Sequence, residues 1–571
     1  MTLLDATHDS TGILLRPADG DLAAVSRTLG SHQPPLRARR LGRSIHLGWA
    51  DACRLERELE LPLRWAPSTR QAIDNRSRIA DTAPHVLAQA RSAHDTDAAR
   101  QMLQDTRMVI DLDDHQVRNV AAMTIPDGWG TCVFDEQGTG KTVTVIGAFD
   151  VLVERGLVNR LLIAAPKSMV AEWEAEFHRF CGDLYRVAVV QGDRRSRAAA
   201  IADGADVIVC GYETVIAHQA ALERLARRTP TALVVDESFA IKNELARRTQ
   251  SLRSIREWCR RAYVLCGTPA PNRPRDIIAQ FDLVDLGLTF HDSPGDLTRD
   301  AEREYVAARM ANAVYTRNRK LDVLELPDRS FTDVKIDLAP EQARLYAETH
   351  QGMVADLDEV DELQFARDRT TWLARRAALL RICSNPGGLQ PGWTETPAKL
   401  AALDGLLARL ADDGEKVIVW SFYRASLDAI AARYRHLGLV RVDGSINDTT
   451  ERREAVRRFQ QDSDVRVFLG NPAAAGAGLT LHAARIAIYE SLSNQAAHWM
   501  QSLDRIHRRG QDRAVEYISL VCRDTIEPGA YQRLVDKSKD QAILLGDADP
   551  TPQTRDALLA ELTTVGVPRR S

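Results

Sequence analysis

Between residues 128 and about 280, short apolar runs alternate with stretches of helical spacing. The runs fall at 131–134, 160–165, 186–190, 206–210, 232–235 and 262–266. Strands that alternate with helices predict a parallel sheet covered on both faces. The rhythm breaks over 281–395. There, longer amphipathic patterns predict helices at 297–313, 340–357 and 365–382, read as a helical insertion and hinge. From 396 the alternation returns, with strands at 416–420, 440–442, 465–469, 486–489 and 515–521 and helices at 399–410, 425–437 and 449–460. Residues 1–105 are less regular: strands at 11–15 and 44–49, helical spacing at 50–61 and 67–80. The expected organisation is an accessory region (1–105), a first α/β lobe (106–285), the insertion (286–395), a second α/β lobe (396–546) and a tail (547–571).

Composition agrees with several globular domains. A chain of 571 residues exceeds one domain, and 44% hydrophobic with 27% charged residues supports buried cores. The net charge of −4 means that a nucleic-acid contact needs a local basic stripe. Arg37, Arg39, Arg40 and Arg43 form one such cluster, read as a solvated turn. The eight cysteines are scattered with no C-x-x-C pair, which argues against a zinc ribbon or a disulfide framework. No leader pattern opens the chain, and no apolar run approaches the ~18 residues of a membrane span. A reduced, cytoplasmic setting without a membrane partner is expected.

Chemistry enters where predicted strands end. The run 131–134 stops at Asp135-Glu136 and continues as Gln137-Gly138-Thr139-Gly140-Lys141-Thr142 before a helical stretch. A glycine turn between strand and helix lets backbone N–H groups cradle a polyphosphate. Gly138, Thr139 and Gly140 would form that cradle, Lys141 would reach the β/γ-phosphates, and the Thr142 hydroxyl would sit on Mg²⁺. The strict pattern G-x-x-x-x-G-K-[ST] is not met, because Asp135 stands at its first glycine. Gln116, at a predicted helix start, carries an amide with both a donor and an acceptor to offer adenine. Asp236-Glu237 ends another apolar strand; Asp236 can hold the metal, and Glu237 can orient and deprotonate a water. Arg505 and Arg508 are three apart, the spacing of neighbours on one helical face, and suit charge stabilisation in phosphoryl transfer.

In this order, the motifs resemble helicase superfamily 2 and, within it, the Swi/Snf family of DNA translocases. Beyond the phosphate loop and acidic pair, the resemblance rests on Pro166-Lys167-Ser168 with Trp173 and Glu176, and on Leu265 to Pro269 with Asn272. It extends to Leu326-Pro327, to Leu338 to Gln342 with Leu345-Tyr346, and to Leu380 to Pro386. Further matches are Val442 to Ser445, Gly476 to Leu481, Gln501 to Gln511, and Asp524 to Glu527 with Lys537. The resemblance implies two RecA-like parallel-sheet lobes of the P-loop NTPase type, closing on ATP and Mg²⁺. It implies Gln116 and Gln501 as nucleotide contacts, Lys141, Asp236 and Glu237 as catalytic groups, and Arg505 and Arg508 as the charge-stabilising pair. It further implies DNA as partner, with duplex favoured over single strands. Two departures stand out. The family usually follows its acidic pair with Ala-His or Gly-His, where this chain has Ser238-Phe239. An acid-Trp-Asn-Pro segment is replaced by Glu490-Ser491-Leu492-Ser493-Asn494. No chromatin-reading module is visible, so a compact bacterial or viral member is expected. A strand-separating helicase, a nucleotide-gated DNA-binding scaffold and, third, a small-molecule kinase are the alternatives.

Overall fold

The computed structural model describes residues 3–540 except 10–11, 19, 32–35, 59–60, 107–110, 271–272, 291–296, 447, 474–478 and 493–495. Asn272, the Gly476-Ala477-Gly478 stretch, Ser493-Asn494 and the 547–571 tail therefore lie outside the described residues. The chain divides into two compact units, one of residues 1–270 with 274–320 and one of residues 321–571 with 271–273.

The first unit opens with a five-stranded sheet: β1 (Leu4–His8), β2 (Gly12–Pro17), β3 (Ala38–Leu41), β4 (Ser44–Gly48) and β5 (Leu63–Trp65), in the order β3-β4-β2-β1-β5. Strand side chains alternate between faces. One set, Leu4, Ala6, Ile13, Leu15, Ile45 and Leu47, is buried against Val25, Leu29, Leu55 and Ile73 of the flanking helices. The helix Pro67–Ser92 joins this subdomain to the larger sheet. Its Asn75 Nδ2 donates to the Glu257 carbonyl at 2.6 Å, and Arg76 Nη1 pairs with Glu257 Oε1 at 2.7 Å. The Arg39-Arg40 pair, read as part of a turn, lies instead on β3, an exposed edge strand.

The larger sheet holds seven parallel strands: β6 (Gly130–Val133), β7 (Arg160–Ala165), β8 (Val187–Val190), β9 (Val207–Gly211), β10 (Thr231–Asp236), β11 (Arg261–Leu265) and β12 (Tyr315–Thr316), in the order β12-β6-β11-β10-β7-β9-β8. Strands buried on both faces read as continuous apolar runs, so the six predicted strands fall within a residue of β6 to β11. The order sets β6, β11 and β10 side by side, which brings the ends of three separate motifs together.

The second unit is built on six parallel strands: β13 (Arg329–Ile336), β14 (Val417–Trp420), β15 (Leu439–Val442), β16 (Val467–Gly470), β17 (Ile486–Tyr489) and β18 (Val515–Cys522), in the order β13-β18-β17-β14-β16-β15. The long helices Pro340–Asp358 and Glu362–Ser384 precede its central strands. The stretch 286–395 is thus not purely helical. It also gives β12 to the first sheet and β13 to the second. β12 is two residues long and β13 is an exposed edge, so neither carries a strong apolar signature.

Two of the family-like segments brace this unit. Gln342 Nε2 donates to the Ile382 carbonyl at 2.6 Å, and its Oε1 accepts from Ala398 N–H at 3.0 Å. The strand ends are filled by a buried ion pair. Lys399 Nζ donates to Glu527 Oε1 at 2.6 Å and to the Glu490 carbonyl at 2.9 Å. The Glu490 carboxylate accepts from the Ser384 and Ser421 hydroxyls at 2.5 and 2.7 Å. Burial alone would depress the Lys399 ammonium, but the charges of Glu527, Cys522 and Glu490 outweigh it and raise its pKa. Among the described residues no helix is long and apolar enough to cross a membrane.

Candidate active site

The loop after β6 is shaped by two glycines. Gly138 and Gly140 both have φ +87°, a left-handed backbone that disfavours side chains. A Cβ on Gly140 would also meet Gln116 Nε2 at 2.3 Å. Gly140 caps the helix Lys141–Glu154, so the loop runs directly into a helix N-terminus, where N–H groups and the helix dipole favour an anion. Lys141 Nζ donates to the carbonyls of Asp135 and Glu136 at 2.9 and 3.1 Å. Thr139 Oγ1 donates to the Glu136 carbonyl at 2.9 Å, tightening the same turn. Thr142 follows on the first helical turn, half-buried.

Asp135, the residue that breaks the strict pattern, is 1% exposed and fully engaged. Its Oδ1 accepts from Thr316 Oγ1 at 2.9 Å and Asn318 N–H at 3.1 Å. Its Oδ2 accepts from Asn119 Nδ2 at 2.6 Å and Asn318 Nδ2 at 3.0 Å. Glu136 accepts from Arg317 Nη2 at 3.3 Å and Lys320 N–H at 3.0 Å. The segment after β12 therefore grips the start of the phosphate loop.

The Gln116 amide is committed to the protein. Oε1 accepts from Asp113 N–H at 3.0 Å, completing a capping box, and Nε2 donates to the Thr139 carbonyl at 3.1 Å. His115 Nε2 lies 2.8 Å from the same carbonyl. In this structure Gln116 positions the loop, and one donor and one acceptor site of its amide are already used.

At the end of β10, Asp236 and Glu237 are each 7% exposed. Asp236 Oδ2 accepts from the Trp173 indole at 2.9 Å, and Oδ1 accepts from Glu237 N–H at 2.8 Å. Tyr212 OH donates to the Asp236 carbonyl. Burial raises the Asp236 pKa, opposed by the Trp173 hydrogen bond, the Lys141 charge and the Glu237 N–H. Burial likewise raises that of the Tyr212 hydroxyl. Glu237 sits at φ +51°, ψ +53°, a left-handed conformation rare outside glycine, and such strain gathers at functional turns. Its Oε1 accepts from Gln137 Nε2 at 3.0 Å, which joins the phosphate loop to the acidic turn. Gly267 closes the third side: a Cβ there would stand 3.0 Å from Gln137 Cγ.

The arginine pair belongs to the second unit. The expected helix through both arginines is not present, because Ala496–Leu503 ends before them and 504–510 are turns. Arg505 and Arg508 are still neighbours, since Nη1 of each donates to the Leu479 carbonyl, at 3.2 and 3.4 Å. Gln501 is buried on the Ala496–Leu503 helix. Sequence reading passed over Gln137, Tyr212, Gln280, Arg317 and Asn318. Tyr212 alone left a signal, as a polar aromatic just beyond an apolar strand.

Comparison with known proteins agrees with this layout. Residues 65–387 match the SNF2-related domain, and residues 398–510 match the helicase conserved C-terminal domain. The chain is 27% identical over 465 residues to the ISWI chromatin-remodeling complex ATPase ISW1 of Saccharomyces cerevisiae, covering 75% of this chain and 40% of that protein. It is 27% identical over 481 residues to the human (Homo sapiens) SWI/SNF-related matrix-associated actin-dependent regulator of chromatin subfamily A member 1, covering 79% and 45%. The chain thus spans less than half the length of either relative. Among solved structures it is similar to the Sulfolobus solfataricus SWI2/SNF2 ATPase core in complex with dsDNA, at 21% identity and a TM-score of 0.35 over 82% of this chain and 100% of that one. With the SNF2-related domain matched across 65–387, more than half its length, the chain belongs to the SNF2-related family of helicase-like proteins.

Proposed function

We propose that this protein is a cytoplasmic, ATP-driven translocase that moves along duplex DNA. The observation that carries the reading is the Gln137–Glu237 hydrogen bond, which sets a strained carboxylate against a glycine-shaped phosphate loop. Thr142 and Asp236 offer hard oxygen ligands of the kind Mg²⁺ takes, and burial of Asp236 leaves it a carboxylate with much to gain from a cation. When bound, Mg²⁺ would neutralise charge on the phosphates. The loop N–H groups and Lys141 would bind and orient ATP. Glu237, held by Gln137, would accept the proton of the attacking water. Arg505 and Arg508 are assigned the stabilisation of developing charge, which fixed guanidiniums do well.

The relatives' names describe chromatin-remodelling ATPases, so duplex DNA is the substrate to test first. The experiment is the ATP hydrolysis rate measured with no polymer, single-stranded DNA, duplex DNA, forked DNA and RNA. Duplex should stimulate turnover most, and Lys141→Ala and Glu237→Gln should abolish it. A rate indifferent to every polymer would overturn the reading.

A further inference from the structure

Ser238 stands directly after the acidic pair and is 0% exposed. Its hydroxyl donates to Gln280 Oε1 at 2.6 Å. Gln280 is also 0% exposed and lies on the helix Ile278–Asp285. Its Nε2 donates to the Pro269 carbonyl at 2.6 Å and to the Asp276 carbonyl at 3.0 Å. A carbonyl only accepts, so the amide NH₂ must face Pro269 and the amide oxygen must face Ser238. That orientation makes the serine hydroxyl the donor. Each atom of the relay has one role, and the relay ties the turn after β10 to the turn after β11.

The two turns also touch on their other side, where Gly267 packs against Gln137 and Gln137 holds Glu237. A shift of the 267–269 turn is thereby felt twice at Glu237: through its hydrogen-bond partner and through the residue that follows it in the chain. The 267–269 turn also holds the buried Thr268 hydroxyl, which has no partner among the described residues. An unsatisfied buried hydroxyl marks a turn with a better-satisfied arrangement to reach.

We infer that Ser238 and Gln280 are positioning residues that couple the 267–269 turn to Glu237, so that the DNA-engaged arrangement of that turn sets the rate of hydrolysis. In this chain the pair stands where family members usually carry a histidine two residues after the acidic glutamate. Neither residue touches the phosphate loop, so neither is a catalytic residue. The inference rests on the DNA-stimulated ATPase reading above.

The test compares the full chain with Ser238→Ala, Ser238→Thr and Gln280→Glu, with thermal unfolding followed alongside. Serine-to-threonine keeps the donor hydroxyl. Glutamine-to-glutamate keeps an acceptor for Ser238 but sets a carboxylate against the Pro269 carbonyl. Stimulation by duplex should fall on the order of tenfold in Ser238→Ala and Gln280→Glu, a usual size for coupling between sites. The DNA-free rate and the KM for ATP should stay within about twofold of the parent, and Ser238→Thr should retain stimulation. Full stimulation in Ser238→Ala and Gln280→Glu would overturn the inference, as would a loss in Ser238→Thr equal to that in Ser238→Ala. A parent protein with no DNA stimulation at all would instead overturn the functional reading beneath it.

Discussion

Asn318 holds Asp135 with two hydrogen bonds, from its backbone N–H at 3.1 Å and from its side-chain amide at 3.0 Å. The phosphate loop is therefore anchored to a segment more than 180 residues further along the chain. This explains why an aspartate stands where the strict loop pattern has glycine. Here the position is an acceptor for four donors, and a glycine would leave them buried and unsatisfied. Asp135→Gly, although it restores the strict pattern, should destabilise the first unit by on the order of 3 kcal/mol. A lowered unfolding midpoint checks this; an unchanged or raised midpoint would contradict it.

Gln137 fixes Glu237 in a conformation that non-glycine residues rarely adopt. Gln137→Ala should leave ATP affinity near that of the parent and lower the turnover number by about tenfold to a hundredfold, the scale of a misplaced catalytic group. Steady-state kinetics separate the two quantities. A rise in KM with unchanged turnover would show that Gln137 serves binding instead.

Asp236 has its carboxyl pKa raised by burial and held down by the Trp173 indole. The acid limb of the ATPase pH profile should therefore lie above the ordinary carboxylate range of about 4. Trp173→Phe should move that limb further up, because it removes a donor to the charged form. The linked effect on stability has a definite sign. A carboxyl whose folded pKa exceeds its unfolded value favours the fold while protonated. In a divalent-free buffer this contribution is complete below about pH 4 and is lost as pH rises through the folded value. Superimposable pH profiles for parent and variant would contradict this assignment.

Lys399 is the single cation set between Glu527 and the Glu490 carbonyl at the ends of the second sheet. Lys399→Met should cost the second unit about 3–5 kcal/mol by leaving buried acceptors uncompensated. Nucleotide binding by the first unit should persist, which equilibrium binding of a fluorescent ATP analogue would show. Loss of binding along with second-unit stability would refute this separation.

Much of this was legible in the chain. Strands β6 to β11 announce themselves because a parallel strand buried on both faces needs an unbroken apolar run. The phosphate loop and the acidic pair are contiguous, so each can be read without knowing what lies opposite. What escaped is what depends on distant partners. Asn318 meets Asp135 across 183 residues, and Gln280 meets Ser238 across 42, with no local periodicity to flag either. The two-residue β12 is too short to show a pattern, and β13 is an edge with little to bury. Arg505 and Arg508 were paired correctly for the wrong reason. Helical spacing suggested it, whereas a shared carbonyl at Leu479 achieves it. Gln116 has donor and acceptor as expected, but the structure uses them to cap a helix and hold the Thr139 carbonyl.

Movement along duplex DNA is tested most directly by displacement of a third strand from a triplex, run beside unwinding of a plain fork. ATP should drive release of the triplex strand from an intact duplex, with Glu237→Gln inactive and the fork left paired. ATP-dependent separation of the fork, with the triplex strand undisturbed, would contradict it.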